Sequence, residues 1–428
     1  MLALSLPAVR AQRPELRDAV AALQSGDYQA AEKKLRAEVA AHPDDALVLS
    51  LLASALDNLS KPGEAGAFHR RAVAKAPRSP EILNNYAAHL WMSGDEREAA
   101  KIYERLLAVD PAHYNANLQL ARLALKENKP ADALRRLDRI PPGQRDTPQV
   151  LLPRVQALYL AGDSAAANSA VSRLEELSRS DPNLAFAAGM TLSQSRHYEK
   201  AQAFFETALK ADPANFNVLY NLGISAMQAG RYDRARDALD AAYRQQPRNL
   251  DVLYGLAYAE ARLRKFERAV QLLAQGEKID PRRADIQKLL ALTTADLGAL
   301  DDSAAAWDRY LKLQPNDPLA QRERAYTLAQ LGQLDDAVPE LEKYVAAHPN
   351  DPIGHYELGQ AERTRDIGKA LAEFDRSLVL DPDYVPARSA RGGVYYQQGK
   401  PELAVKDLEA AASLRPDDAA NLDRLGQT

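Results

Sequence analysis

The chain contains no cysteine. That single absence removes disulfide scaffolds, thiolate metal sites, iron–sulfur clusters and cysteine nucleophiles. No run of about 18 apolar residues occurs either, so no segment is expected to span a membrane. Positive charge is not in excess: 55 lysines and arginines face 59 aspartates and glutamates, a formal charge of −4. Such a balance supplies no net field to recruit nucleic acid or anionic lipid. The phosphate-binding GxxxxGK[ST] loop, GxGxxG, HExxH and the EF-hand loop are all missing. Gly223-Ile224-Ser225-Ala226-Met227 begins like a nucleophile elbow but lacks its second glycine. His42, His69, His89, His113, His197, His348 and His355 nowhere stand at metal-ligand spacing along the chain. The pairs Asp44-Asp45, Asp301-Asp302, Asp335-Asp336 and Asp417-Asp418 fall where helices begin, and there carboxylates favour the helix dipole. No catalytic residue, metal site or cofactor is therefore expected, and the chain reads as non-enzymatic.

What the sequence does contain is a period. Apolar residues make up 46% and charged residues 27%, ordinary values for a folded protein. Pro43, Pro77 and Pro111 are 34 residues apart, as are Pro213, Pro247, Pro281, Pro315 and Pro349; Pro382 and Pro416 continue the series. With this proline as position 32, twelve repeats fill residues 12–418. Position 20 then holds Ala31, Ala65, Ala99, Ala133, Ala167, Ala201, Ala235, Ala269, Ser303, Ala337, Ala370 and Ala404. Position 8 is Gly or Ala in every repeat except the fifth, where Val155 stands. Position 24 is large and apolar or aromatic everywhere but in the second repeat, where it is His69. Small residues beside one large residue are what closely packed helices require.

Each repeat reads as two antiparallel helices. Helix A covers positions 1–14, with apolar residues at 4, 7, 8 and 11. Glycine at position 15 (Gly26, Gly94, Gly162, Gly230, Gly298, Gly332, Gly399) ends it, because glycine enters the left-handed region without strain. Helix B covers positions 18–31 and stops before the repeat proline. Ser79-Pro80, Thr147-Pro148, Asp181-Pro182, Asp317-Pro318 and Asp351-Pro352 read as a polar cap followed by proline at the first helical position. Two places break the register. Pro141-Pro142-Gly143 shortens helix B of repeat four, and Pro153 predicts that the next helix A starts late or kinks. The stretch 141–153 is either a seam between repeats four and five or a tolerated irregularity. Repeat eleven lacks one residue near Asp366, which reads as a shortened turn.

The small-large-small pattern with its terminal proline resembles the tetratricopeptide repeat family over nearly the whole chain. Repeat seven carries the pattern best, in Leu219, Tyr220, Asn221, Leu222, Gly223, Gly230, Tyr232, Ala235 and Pro247. The resemblance implies an all-α fold, a right-handed superhelical solenoid of stacked hairpins with helices A lining a concave groove. Elementary packing agrees, since one hairpin cannot bury its apolar faces without neighbours. The resemblance also implies that positions 2, 5, 6, 9, 12 and 13 face the groove. Some relatives hold a chaperone's C-terminal carboxylate there with Lys, Asn and Arg. This chain has Ser50, Ser54, Asn85, Asn115 and Gln119 instead, so that clamp is not carried over. Around repeats six to eight the groove is apolar and aromatic: Phe186, Met190, Tyr220, Ile224, Tyr254 and Tyr258, with Asn217, Asn221, Gln194, Gln228 and Arg262 beside them. Aromatic area with polar neighbours suits a bound peptide; the same rings also suit packing on the adjacent helix.

The expected function is a protein-interaction scaffold that binds polypeptide segments in the groove, with protein or peptide partners. The alternative is a structural component of a bacterial envelope secretion or polysaccharide-export machine. That alternative leans on residues 1–11, where Val9 and Ala11 resemble a signal-peptidase site without the basic n-region. These residues read as a signal remnant or as an apolar terminus, hence either an exported, periplasmic or envelope-associated protein or a cytoplasmic one. Residues 419–428 read as a partial capping helix or as a cut chain.

Overall fold

The computed structural model describes residues 16–416. The expected segments 1–11 and 419–428 lie outside them. Among the described residues there are α-helices in pairs, one short 3-10 turn and no strand. Backbone packing divides the chain into two units, residues 1–213 and 214–428.

The N-terminal unit carries α1 (Arg17–Ser25), α2 (Tyr28–Ala41), α3 (Ala46–Asn58), α4 (Pro62–Lys75), α5 (Pro80–Met92) and α6 (Glu96–Leu107). It continues with α7 (Tyr114–Lys126), α8 (Pro130–Arg139), α9 (Pro148–Leu160), α10 (Ser164–Ser178), α11 (Pro182–Gln194) and α12 (Tyr198–Leu209). The C-terminal unit carries α13 (Phe216–Gln228), α14 (Tyr232–Gln245), α15 (Leu250–Arg262), α16 (Phe266–Ile279), α17 (Ala284–Leu297) and α18 (Leu300–Leu313). Its remaining helices are α19 (Pro318–Gln330), α20 (Leu334–Ala347), α21 (Pro352–Glu362), α22 (Ile367–Leu380), α23 (Val385–Gln397) and α24 (Pro401–Leu414). Odd numbers are helices A and even numbers helices B of twelve repeats.

Every residue at position 20 is fully buried, from Ala31 to Ala404. Ser303 fits the series because its hydroxyl donates to the Ala291 carbonyl at 2.8 Å, across the hairpin at position 8 of the same repeat. Positions 8 and 24 touch directly. A β-carbon on Gly189 would lie 2.6 Å from Phe205, one on Gly223 2.5 Å from Leu239, and one on Gly359 2.7 Å from Phe374. Where position 8 grows to Val155, position 24 shrinks to Val171, and both stay buried. Volume is thus conserved across the contact, as close packing demands.

Within each unit, helix A of one repeat also packs on helix A of the next (α3 on α5, α9 on α11, α13 on α15, α19 on α21), while helix B bears on the following A. One apolar cluster joins Leu118, Ala121 and Leu125 of α7, Leu137 of α8, and Val150 and Ala157 of α9. That cluster draws on residues from both sides of the stretch 141–147.

All seven position-15 glycines are left-handed, with φ between 69° and 83°. Ser60, Asn128, Arg196 and Arg264 occupy the same position of repeats two, four, six and eight, and are, among the described residues, the non-glycine residues with positive φ. The turn geometry is imposed by the hairpin, whatever residue stands there. Repeat eleven is the exception: α21 ends at Glu362, and Asp366 has φ −145°, capping α22 instead.

Two local expectations are corrected. The helix containing Pro153 starts at Pro148, neither late nor out of register. Pro153 forfeits one backbone bond near the helix start, and its ring is buried in return. Thr147 does not cap α9; its hydroxyl donates back to the Gln144 carbonyl at 2.9 Å, closing the 3-10 turn Pro142–Gln144. The caps at Ser79, Asp181, Asp317 and Asp351 all form.

Two stability outcomes follow from this geometry. Ala235→Leu should cost roughly 1–3 kcal/mol in urea unfolding through overpacking. Arg196→Gly should gain about 0.5–1 kcal/mol by relieving a left-handed side-chain residue at φ 63°; an unchanged midpoint for either variant would contradict the register.

Candidate functional site

The helix A surface left over after stacking carries the predicted groove residues. Phe186 and Met190 belong to the N-terminal unit; both are half-buried on α11, and Phe186 tilts against Phe205 at 5.8 Å. The other predicted residues belong to the C-terminal unit. Tyr220 stacks on Phe216 at 6.3 Å, and the Asn221 amide donates to the Asn217 carbonyl at 2.8 Å. Tyr220, Tyr254 and Tyr258 rest partly on the apolar core, so ring packing accounts for a share of each side chain. Burial, with Asp251 near Tyr220 and Asp285 near Tyr254, holds both phenols above their ordinary pKa.

Four residues form a platform. Tyr254 stacks with Tyr258 at 6.5 Å, Tyr232 meets Tyr258 edge-on at 6.3 Å, and the Arg262 guanidinium lies 4.7 Å over the Tyr232 ring. Arg262 also reaches the Tyr258 hydroxyl at 3.4 Å and remains exposed. Tyr232, named from the sequence as a repeat-pattern residue, was not among the groove residues because it opens helix B, not helix A. The groove-side polar residues Ser50, Asn85, Asn115 and Gln119 turn toward one another: Asn85 donates to Ser50 at 3.1 Å, Asn115 to Asn84 at 2.7 Å and Gln119 to Asn115 at 3.3 Å.

Further along the C-terminal unit, position 5 changes character from Tyr220 and Tyr254 to Lys288, Arg322 and Tyr356. Lys288 lies over Tyr310 at 5.3 Å and reaches Asp317 at 3.1 Å; Arg322 lies over Tyr344 at 5.6 Å and reaches Asp351 at 3.0 Å. Each tyrosine donates to the same aspartate at 2.7 Å. Both aspartates are also helix caps, so one carboxylate ties three elements together. Tyr356 gathers Tyr326 at 6.4 Å, Tyr384 at 5.5 Å and Phe374 at 6.2 Å, a second aromatic group that the sequence reading did not single out. Glu357 is buried beside it. Arg322 Nε comes within 3.0 Å of its carboxylate without forming a hydrogen bond, while the other two guanidinium nitrogens reach Asp351 and Glu323. Burial outweighs the Arg322 attraction and pushes the Glu357 carboxyl up to about 8.

In the N-terminal unit the fold brings together histidines that stand apart along the chain. Asp57 of α3, His69 of α4 and His89 of α5 meet, with His69 Nε2 2.9 Å and His89 Nδ1 2.6 Å from the two Asp57 oxygens. Linear spacing hid this because the three residues sit at positions 12 and 24 of one repeat and 10 of the next. The available signal was His69 itself, the polar exception at position 24.

Paired helices stacked in register, with small residues at the hairpin contact and a left-handed turn residue, define a helical-repeat solenoid. Sequence profiles described as tetratricopeptide repeat match residues 16–80, 90–159, 186–249, 226–292, 288–352, 322–385 and 359–425. The chain belongs to the tetratricopeptide repeat family, whose fold supports a protein-interaction scaffold. It is 32% identical over 185 residues to Cellulose synthase 2 operon protein C of Komagataeibacter xylinus, covering 42% of this chain and 14% of that protein. It is 27% identical over 157 residues to the type IV pilus assembly protein PilF of Pseudomonas aeruginosa, covering 34% of this chain and 61% of that one. The chain thus spans less than two thirds of either relative. A tetratricopeptide repeat protein from Parabacteroides merdae shares the fold, with TM-score 0.50 and 16% identity over 57% of this chain and 97% of that one. Among the described residues no helix is long and apolar enough to cross a membrane.

Glu357 yields a pH-dependent outcome. Its folded pKa is raised, so the unfolded chain ionises first as pH rises from 4.5 toward about 8. Stability from this group is complete below pH 4.5 and is lost across that window, at up to about 1.4 kcal/mol per pH unit. The stability difference between the parent and Glu357→Gln, measured by urea unfolding at pH 5 and pH 8, should fall with pH; a constant difference would show that the carboxyl is not perturbed.

Proposed function

We propose that the chain is a non-catalytic scaffold that holds polypeptide segments along its helix A surface, anchored in the C-terminal unit by Tyr232, Tyr254, Tyr258 and Arg262. The observation that carries this reading is the platform itself. Three rings and a guanidinium lie on or beside one helix face, half-buried or exposed, with no role in closing the hairpin contact. Aromatic residues and arginine bury much surface at little entropic cost and are enriched at interface centres. The rings would take apolar or proline-rich peptide side chains, Arg262 would take an acidic group or a backbone carbonyl, and Asn217 and Asn221 would supply hydrogen bonds nearby.

A second reading places the chain in an assembly of the bacterial envelope. It rests on the names of the two sequence relatives, one a cellulose synthase operon protein and one a pilus assembly protein. On this reading the protein is exported and acts as a periplasmic or envelope-associated structural component. Recovery of the full-length gene product only in the cytosol would remove it.

The scaffold reading is tested by panning a displayed peptide library on the purified chain and measuring the affinity of the selected peptides. Tyr254→Ala combined with Tyr258→Ala should weaken binding by more than about 2 kcal/mol, roughly 30-fold, with helicity unchanged. Equal peptide recovery by parent and variant would overturn the assignment of the platform.

A further inference from the structure

We infer that Asp57, His69 and His89 form a binding site for one divalent transition-metal ion, zinc foremost. The three side chains come from three successive helices and offer ligand atoms that all lie within 4.8 Å of one another. His69 is wholly buried, and the His89 and Asp57 side chains are 7% and 5% exposed. Tyr86 closes one side, stacked 5.9 Å from the His69 ring and 6.3 Å from the His89 ring.

Two departures from the repeat pattern converge on this spot, and each is unfavourable by itself. Position 24 is apolar or aromatic in the other repeats because it fills the hairpin contact; here it is a histidine. Position 21 of the same helix is Gly66, in a helix interior where glycine costs about 1 kcal/mol relative to alanine. A β-carbon at Gly66 would lie 2.9 Å from His89 Nε2, so the glycine makes the room that His89 occupies.

Two imidazole nitrogens and a carboxylate converge here with almost no access to water, the donor set that a divalent transition-metal ion takes in its neutral-imidazole and carboxylate forms. Zinc–ligand distances of about 2.0–2.2 Å place donor atoms roughly 3.3 Å apart. The present contacts of 2.6 and 2.9 Å would widen by about half an ångström as the metal replaces the shared protons. The His69 proton would then move to Nδ1, which has no hydrogen-bond partner now.

Two nitrogens and one oxygen suit zinc, cobalt or nickel rather than magnesium or calcium, which prefer six or more oxygens. Three protein ligands leave one position open to water or to a partner's side chain. The ion would join α3, α4 and α5, tying the second repeat to the third.

The test uses the full chain, stripped with chelator and then titrated with Zn2+, Co2+ and, as a control, Mg2+. The expected result is one equivalent of bound Zn2+, a visible absorption band of tetrahedral Co2+, a higher melting temperature with either ion and no response to Mg2+. His69→Leu restores the apolar residue that the repeat favours, so it should stay folded by circular dichroism. It should also lose the Co2+ band and bind Zn2+ at least about tenfold more weakly, since losing a direct ligand costs no less than losing its supporting partner. Asp57→Asn should behave in the same way. A parent chain that shows no Co2+ band would reduce the cluster to a hydrogen-bonded His–Asp–His group and overturn the proposal. Undiminished Zn2+ binding by His69→Leu would place the ion on exposed histidines and overturn it equally.

Discussion

Helix A and helix B of each repeat but the fifth meet where a side chain of one or no heavy atoms at position 8 faces a fully buried small residue at position 20 and a larger one at position 24; in the fifth, Val155 meets Val171. Two helices can approach to 8–10 Å only when the contact residues allow it. The missing β-carbons of Gly189, Gly223, Gly359 and Gly392 are filled by Phe205, Leu239, Phe374 and Leu408. Because the large residue comes from the same hairpin, each repeat sets its own angle before it meets a neighbour. Stacking then buries the remaining apolar face, and stability accumulates from nearest-neighbour interfaces.

That constraint decides which positions are left for function. The hairpin contact consumes positions 8, 20 and 24, and the turn consumes position 15. Positions 5 and 9 of helix A are bound by neither, so they drift along the array: Tyr220 and Tyr254 give way to Lys288 and Arg322 and return to Tyr356. Each change recruits a different local partner, a neighbouring ring for the tyrosines and a capping aspartate for the cations. A surface assembled in this way varies along its length while the backbone beneath it repeats.

The repeated part of the fold was legible in the sequence because twelve copies average out local noise. The alanine series and the glycine turns were confirmed residue by residue. The late start expected from Pro153 does not occur, because a single residue's helix penalty was weighed without the burial that its ring gains in the stack. Thr147 was misread because the preceding 3-10 turn competes for its hydroxyl. Ser60, Arg196 and Arg264 show the converse, with tertiary packing forcing a left-handed turn that local preference resists, whereas Asn128 tolerates it. The candidate groove residues on helix A were chosen by register alone. Tyr232, and the Asp57–His69–His89 group, could not be, since they depend on which helix ends and which neighbouring repeats face each other.

A repeat array is unusually tolerant of such exceptions. In a single globular core, a histidine or a Glu357 placed among apolar side chains strains packing on every side. Here a residue touches only its own hairpin and the next, so an unfavourable substitution is confined to one or two repeats while the remaining interfaces hold the chain. Asp57, His69 and His89 lie in repeats two and three; Arg322, Asp351 and Glu357 lie in repeats ten and eleven. Among the described residues, the apolar cluster beside the first group and the one beside the second have no member in common. Each polar group bears on the repeats that carry it. The architecture that makes the repeats alike is what lets a few of them become chemically different.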